Sequence, residues 1–164
     1  MPESTGVVDA DRQPVVPAAL LAAQLITADA DRGMAVSFAT AVHLIQPPAA
    51  VRCAHLYATA HGIYEVRLNG RPVSDAVLAP GWTSYRWRLC WQDWDVTDAV
   101  RHADREVVLE ALVGNGWYRG DFGPWAAHNY GDEIGFIGAL EIEFADGGVQ
   151  LIRSSPEWQA RTTD

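Results

Sequence analysis

The sequence predicts an all-β protein, an antiparallel β-sandwich of jelly-roll type, and three observations carry that prediction. Apolar and polar residues alternate in short runs, about eight of them, which is the period of half-buried strands. Turn signals such as Asn69-Gly70 and Asp146-Gly147-Gly148 separate those runs. Helical periodicity is confined to one or two turns. With 164 residues the chain is long enough for one domain with a core of its own.

The elements follow in order. Residues 1–16 are polar, acidic and rich in proline, without periodicity, and are expected to form a flexible lead-in. The segment PAALLAAQLITA (17–28) reads as a helical turn or an extended arm laid on the domain, so that 1–33 is lead-in and arm and 34–164 is the sandwich. Residues 34–44 alternate, with Val36, Phe38 and Thr40 on one face. Residues 52–59 place Arg52, Ala54, Leu56 and Ala58 opposite Cys53, His55, Tyr57 and Thr59. Residues 63–68 put Tyr64, Val66 and Leu68 on one side, and Asn69-Gly70 closes a hairpin.

Residues 85–96 predict one long strand whose Arg86, Arg88, Cys90, Gln92 and Trp94 side faces outward. Asp95 or Thr97 caps a helical turn at 98–102. Residues 106–113 set Val107, Leu109 and Ala111 against Val108, Glu110 and Leu112, nearly apolar on both faces, which predicts a fully buried central strand. Gly114-Asn115-Gly116 ends it, and a long irregular segment runs to Asp132 with no helical pattern after the glycines. Residues 134–144 form the next strand, with Leu140, Ile142 and Phe144 in phase. A hairpin leads to 149–153, and 158–161 make a last edge strand.

Charge and composition exclude several functions. All 12 basic residues are arginine, and 21 acidic residues give a net charge of −9, which opposes the phosphate neutralisation needed for nucleic-acid binding. The longest apolar run near the N-terminus, 18–26, is far below a membrane span. Glu3, Asp9 and Asp11 precede it, the reverse of a secretion signal. The expectation is a soluble chain, cytoplasmic or a fragment of a longer protein. Cys53 and Cys90 both lie in apolar runs and read as buried free thiols.

Catalytic and metal-binding patterns are weak. Glu65, Asp75, Glu110, Asp121, Asp132, Glu133, Glu141 and Glu143 are available for paired-carboxylate hydrolysis, but their spacing places no two of them together. His43, His55, His61, His102 and His128 have no metal-ligand spacing. Loop aromatics stand out instead. Seven tryptophans are many for this length, and Trp82, Trp117, Tyr118, Trp125, Asn129 and Tyr130 fall on loops beside Asp75, Arg119, Asp121 and Asp132. Rings, a guanidinium and carboxylates bind neutral polyols by stacking and hydrogen bonding. Calcium held by Asp75 and Asp132 can bridge to sugar hydroxyls. For Trp82 and Trp117 a scaffold role, in which the two loops pack on each other while Arg119 pairs with an aspartate, stands beside the ligand role.

GIYEVRLNGRPVSDAVLAPGWTSY (62–85), WDVTD (94–98), GNGWYRGDFG (114–123), YGD (130–132) and the ADGG hairpin resemble, in order and spacing, the N-terminal β-sandwich module of bacterial α-L-rhamnosidases of glycoside hydrolase family 78. The resemblance covers about residue 34 to the C-terminus. It implies a jelly roll like those of galactose-binding and carbohydrate-binding modules. It also implies a non-catalytic accessory domain, the catalytic (α/α)6 barrel lying in another part of such proteins. Some related modules bind L-rhamnose through calcium and others are structural. The chain departs from the family pattern at Ser74-Asp75, at Trp87 and Trp91, and at Phe38-Ala39-Thr40-Ala41, which lacks the usual arginine-rich run. The expectation is recognition of a rhamnose-containing glycan by Asp75, Trp82, Trp117, Tyr118, Arg119, Tyr130 and Asp132. The alternatives are docking to a catalytic barrel or a small stand-alone glycosidase.

Overall fold

The alternating segments pair as two antiparallel sheets. The computed structural model describes residues 15–29, 34–121 and 130–163, so most of the lead-in, together with Trp125 and Asn129, lies outside the described residues. The arm provides a short helix, α1 (Ala18–Leu21), and strand β1 (Ile26–Thr27). The strands that follow are β2 (Ala35–His43), β3 (Val51–His61), β4 (Ile63–Leu68), β5 (Arg71–Pro72) and β6 (Gln92–Asp95). Helix α2 (Thr97–Arg101), β7 (Glu106–Gly114), helix α3 (Gly116–Arg119), β8 (Gly135–Phe144), β9 (Val149–Arg153) and β10 (Gln159–Thr163) complete the chain.

Among the described residues one sheet runs β1-β8-β3-β6, with β9 also paired to β8, and the other runs β10-β2-β7-β4-β5. Their inner faces meet in one core. Val36 and Phe38, Ala54, Leu56 and Ala58, Tyr64, Val66 and Leu68, and Leu140, Ile142 and Phe144 are all buried there, in the phases that strand alternation requires. Ile26 of the arm joins this core, and Ala19 and Leu20 are buried too.

Gly62 alone links β3 of one sheet to β4 of the other. Its φ of +133° suits glycine, and a Cβ there would lie 2.3 Å from the Gly114 carbonyl oxygen. The hairpin forms as its sequence predicts: Asn69 and Gly70 have φ of 50° and 76°. Asn69 also accepts a 2.8 Å hydrogen bond through Oδ1 from the Val108 amide, which ties the turn to β7.

Five expectations change. The long strand over 85–96 is reduced to β6, because the chain makes a tight turn after Ser84, whose carbonyl accepts from the Trp87 amide at 2.8 Å. Within β6 the outward face is also reversed: Trp94 packs against the core, edge-on to Tyr64 at 6.1 Å, while Asp93 points out. Central β7 is buried on one face only, since Val108 and Leu112 are exposed. Arg52 leaves the inner face of β3 because the register shifts between Val51 and Cys53, and its guanidinium pairs with Glu143. Cys53 and Cys90 are free thiols, but Cys53 is only half-buried and Cys90 is exposed.

Candidate functional site

The residues after β4 and β7 and before β8 meet at one end of the sandwich. The 75–83 arm is fastened to β4 where the Tyr64 amide donates to the Ala79 carbonyl at 2.7 Å. The Tyr64 hydroxyl lies 2.9 Å from the Ala58 carbonyl and 2.6 Å from Gln92 Oε1, and Gln92 Nε2 donates to the Pro80 carbonyl at 3.3 Å. Burial raises the Tyr64 phenol well above its ordinary pKa, so it stays neutral. The polar network thus fixes the arm on which Trp82 stands.

Contrary to the expectation of an irregular segment after Gly114-Asn115-Gly116, one helical turn, α3, begins at Gly116 and presents Trp117 and Tyr118. Trp82 stacks nearly parallel on Trp117, with ring centroids 6.4 Å apart and 12° between planes. Trp82 remains 59% exposed, and its indole N–H donates to the Tyr130 hydroxyl at 3.3 Å. Behind this pair Tyr85 packs edge-on to Tyr118 at 5.3 Å and tilted on Tyr130 at 5.0 Å, while His61 stacks on Tyr118 at 4.5 Å. Burial raises the Tyr118 pKa first, and the charges of Asp132 and Glu133 raise it further. Burial pushes the Tyr85 phenol up to about 12 and the His61 imidazole down.

Arg119 is 4% exposed and faces the loop interior. Its Nε donates to Asn115 Oδ1 at 2.7 Å and its Nη1 to the Asp132 carbonyl at 3.3 Å, so it clamps α3 to the chain entering β8. Gly131 completes that clamp by close approach: a Cβ there would sit 2.1 Å from the Tyr118 hydroxyl oxygen. Of the residues singled out in the sequence, Trp82, Trp117, Tyr118, Arg119, Tyr130 and Asp132 therefore come together. Asp75 lies elsewhere on the arm, lining a cavity of 170 Å³ with Glu65, Ala76, Val77 and Trp94. Among the described residues no group of three or more His, Cys, Asp or Glu gathers in a way that could hold a metal ion. Sequence reasoning missed His61, Tyr85 and Asn115 as supports of the site. Nothing in their local pattern marks them, because each acts through a contact distant in the chain or inside a turn.

An indole pair, Trp82 exposed and Trp117 half-buried, set on a cluster of tyrosines with carboxylates nearby, is suited to stacking on an apolar ring face while accepting hydrogen bonds from hydroxyls. Among the described residues no helix is long and apolar enough to cross a membrane.

Comparison with known proteins gives this geometry a context. The family described as the α-L-rhamnosidase N-terminal domain matches residues 49–164. An α-L-rhamnosidase of Streptomyces avermitilis is 46% identical over 114 residues, 70% of this chain and 11% of that protein. The crystal structure of a Streptomyces avermitilis α-L-rhamnosidase complexed with L-rhamnose superposes with a TM-score of 0.72 and 41% identity, covering 78% of this chain and 12% of that one. The native α-L-rhamnosidase of Aspergillus terreus gives a TM-score of 0.74 and 30% identity, over 85% of this chain and 16% of that one. The chain thus spans only 11% to 16% of the length of these relatives. With the match over 49–164 and the shared β-sandwich, the chain belongs to the α-L-rhamnosidase N-terminal domain family.

Proposed function

We propose that this accessory domain recognises a rhamnose-containing glycan at the Trp82–Trp117 platform. One observation carries the proposal: two parallel indoles, one of them largely exposed, stand on an internally bonded scaffold beside the carboxylate-bearing segment at Asp132. L-Rhamnose is a deoxy sugar whose methyl group and C–H face suit an indole, while its hydroxyls suit Asp132 and Tyr130. Arg119, His61 and Tyr85 hold the platform in place. A part for calcium at Asp75 and Asp132 is a separate proposal: Asp75 lines its own cavity on the arm, and among the described residues no group of three or more His, Cys, Asp or Glu gathers around either carboxylate.

Calorimetric titration with L-rhamnose tests the proposal. Saturable heat is expected with a dissociation constant of roughly 0.1–1 mM, and Trp82→Ala is expected to weaken it about tenfold. No heat at millimolar sugar would contradict it. A chelator that removes the heat would assign calcium a part; unchanged heat would remove calcium from the scheme.

A second role, docking against a catalytic barrel, draws on exposed Val108 and Leu112 on the outer face of β7. Val108 pairs across to Ala41 of β2, so small and apolar side chains adjoin there. This face lies on a sheet and not among the site loops, so the two roles do not exclude each other.

A further inference from the structure

Along one side the two sheets stand open to water. Val36 and Phe38 of β2 are buried, yet Thr40 and Val42, which share their phase, are only half-buried. The neighbouring strand stops short of them: β10 begins at Gln159 opposite Ala39, and the chain before it makes a turn in which the Trp158 amide donates to the Ser155 carbonyl at 3.0 Å. A cleft of 670 Å³ opens there between β2 of one sheet and β9 of the other, lined among others by Thr40, Val42, Gln150, Ile152 and Trp158. No residue of the Trp82–Trp117 platform takes part in it.

Backbone phase decides which groups face this cleft. The Leu44 amide donates to the Arg105 carbonyl at 2.8 Å, and β2 pairs with β7 in the same antiparallel register, so Val42 and Thr40 also turn their backbone groups to β7. Ala41 and His43, both exposed, turn theirs the other way, to the side that β10 covers only as far as Ala39. The His43 carbonyl is met by a side chain: Gln150 Nε2 donates to it at 2.9 Å, while Gln150 Oε1 accepts from the Ile45 amide at 3.0 Å. Among the described residues no protein group meets the Ala41 amide, the Ala41 carbonyl or the His43 amide. A donor, an acceptor and a donor in line at strand spacing are complementary to the backbone of one extended peptide. The Gln150 amide already pairs the adjoining part of this edge as a peptide group would. We propose that residues 40–43 of β2 receive an extended segment of a partner polypeptide, which adds as a strand in line with β10. The residue opposite Ala41 makes the backbone bonds, and the residues on each side of it point into the cleft, where Val42 and Ile152 favour apolar side chains.

The probe is a blocked pentapeptide, acetyl-Ser-Val-Thr-Val-Ser-amide, compared with the same peptide N-methylated at its central residue. Binding is followed in the nitrogen-15 correlation spectrum of the chain. The first peptide is expected to shift the Ala41 and His43 amide signals saturably, with a dissociation constant on the order of 1 mM. The methylated peptide keeps the side chains and loses the donor for the Ala41 carbonyl, so it is expected to bind at least about tenfold more weakly. Ala41→Pro removes the amide that faces the cleft and is expected to abolish binding, with near-UV circular dichroism checking that the packing survives. If that variant fails to fold, the comparison of the two peptides on the wild-type chain decides alone. Equal binding of the two peptides would overturn strand addition, as would the absence of shifts at Ala41 and His43. Shifts of these amides on concentrating the protein without peptide would assign the edge to a second copy of the chain and overturn the proposal too.

Discussion

His61 shows how a single residue can tie the site to the stability of the fold. Its ring stacks on Tyr118 at 4.5 Å, and burial lowers its pKa from the ordinary 6.5. Over the interval below 6.5 the unfolded chain binds a proton that the folded chain does not, so unfolding gains protons there and stability falls as pH falls. The contribution is fully present above the unfolded pKa. It diminishes as pH drops from there toward the folded value. His61→Phe keeps a ring on Tyr118 without the titration, so its melting temperature should decline less than that of the wild type between about pH 7 and about pH 5. Equal slopes for the two proteins would show that His61 is not the group responsible.

Gly62 plays the comparable part at the level of elements, since the passage from one sheet to the other occupies this one residue. A methyl group there meets the Gly114 carbonyl at 2.3 Å in a backbone conformation that L-residues rarely adopt. Gly114 is paired with Ile63 and is followed by Asn115 and α3, so the clash falls two residues before the turn that carries Trp117. Gly62→Ala should cost about 3 kcal/mol from combined strain and overpacking, read as a lower urea midpoint. An unchanged midpoint would mean that the crossing is looser than its geometry implies. Elements whose residues face one core were legible from sequence for a simple reason: β4, the first half of β2 and the 140–144 half of β8 bury alternate residues, and alternation is visible locally. The segment 85–91 was not, because Tyr85 packs against Tyr118 and Tyr130 and not against strand neighbours, while its Tyr and Trp residues have strand propensity all the same. For β7 the local sign was there and was outweighed: Glu106 and Glu110 share the phase of Val108 and Leu112, but those two apolar residues made the outer face read as a second core face.

For the whole molecule, the sandwich gathers loops that are far apart in sequence at one end. The aromatic character of those loops could be read from Trp82, Trp117 and Tyr130, which follow strong turn signals. Their mutual arrangement could not, because the Trp82–Trp117 stack joins positions separated by β6, α2 and β7. The inward turn of Arg119 likewise depends on Asn115 and on the Asp132 carbonyl, which only the fold brings within reach. The sugar site proposed at the platform can be tested directly. In a nitrogen-15 correlation spectrum with the indole signals assigned by substitution, addition of L-rhamnose should shift the Trp82 and Trp117 resonances progressively. The Trp158 signal should stay still, since that indole is buried and donates to the Arg153 carbonyl at 2.9 Å. Shifts confined to tryptophans other than Trp82 and Trp117, or no shift at saturating sugar, would contradict the assignment of the site.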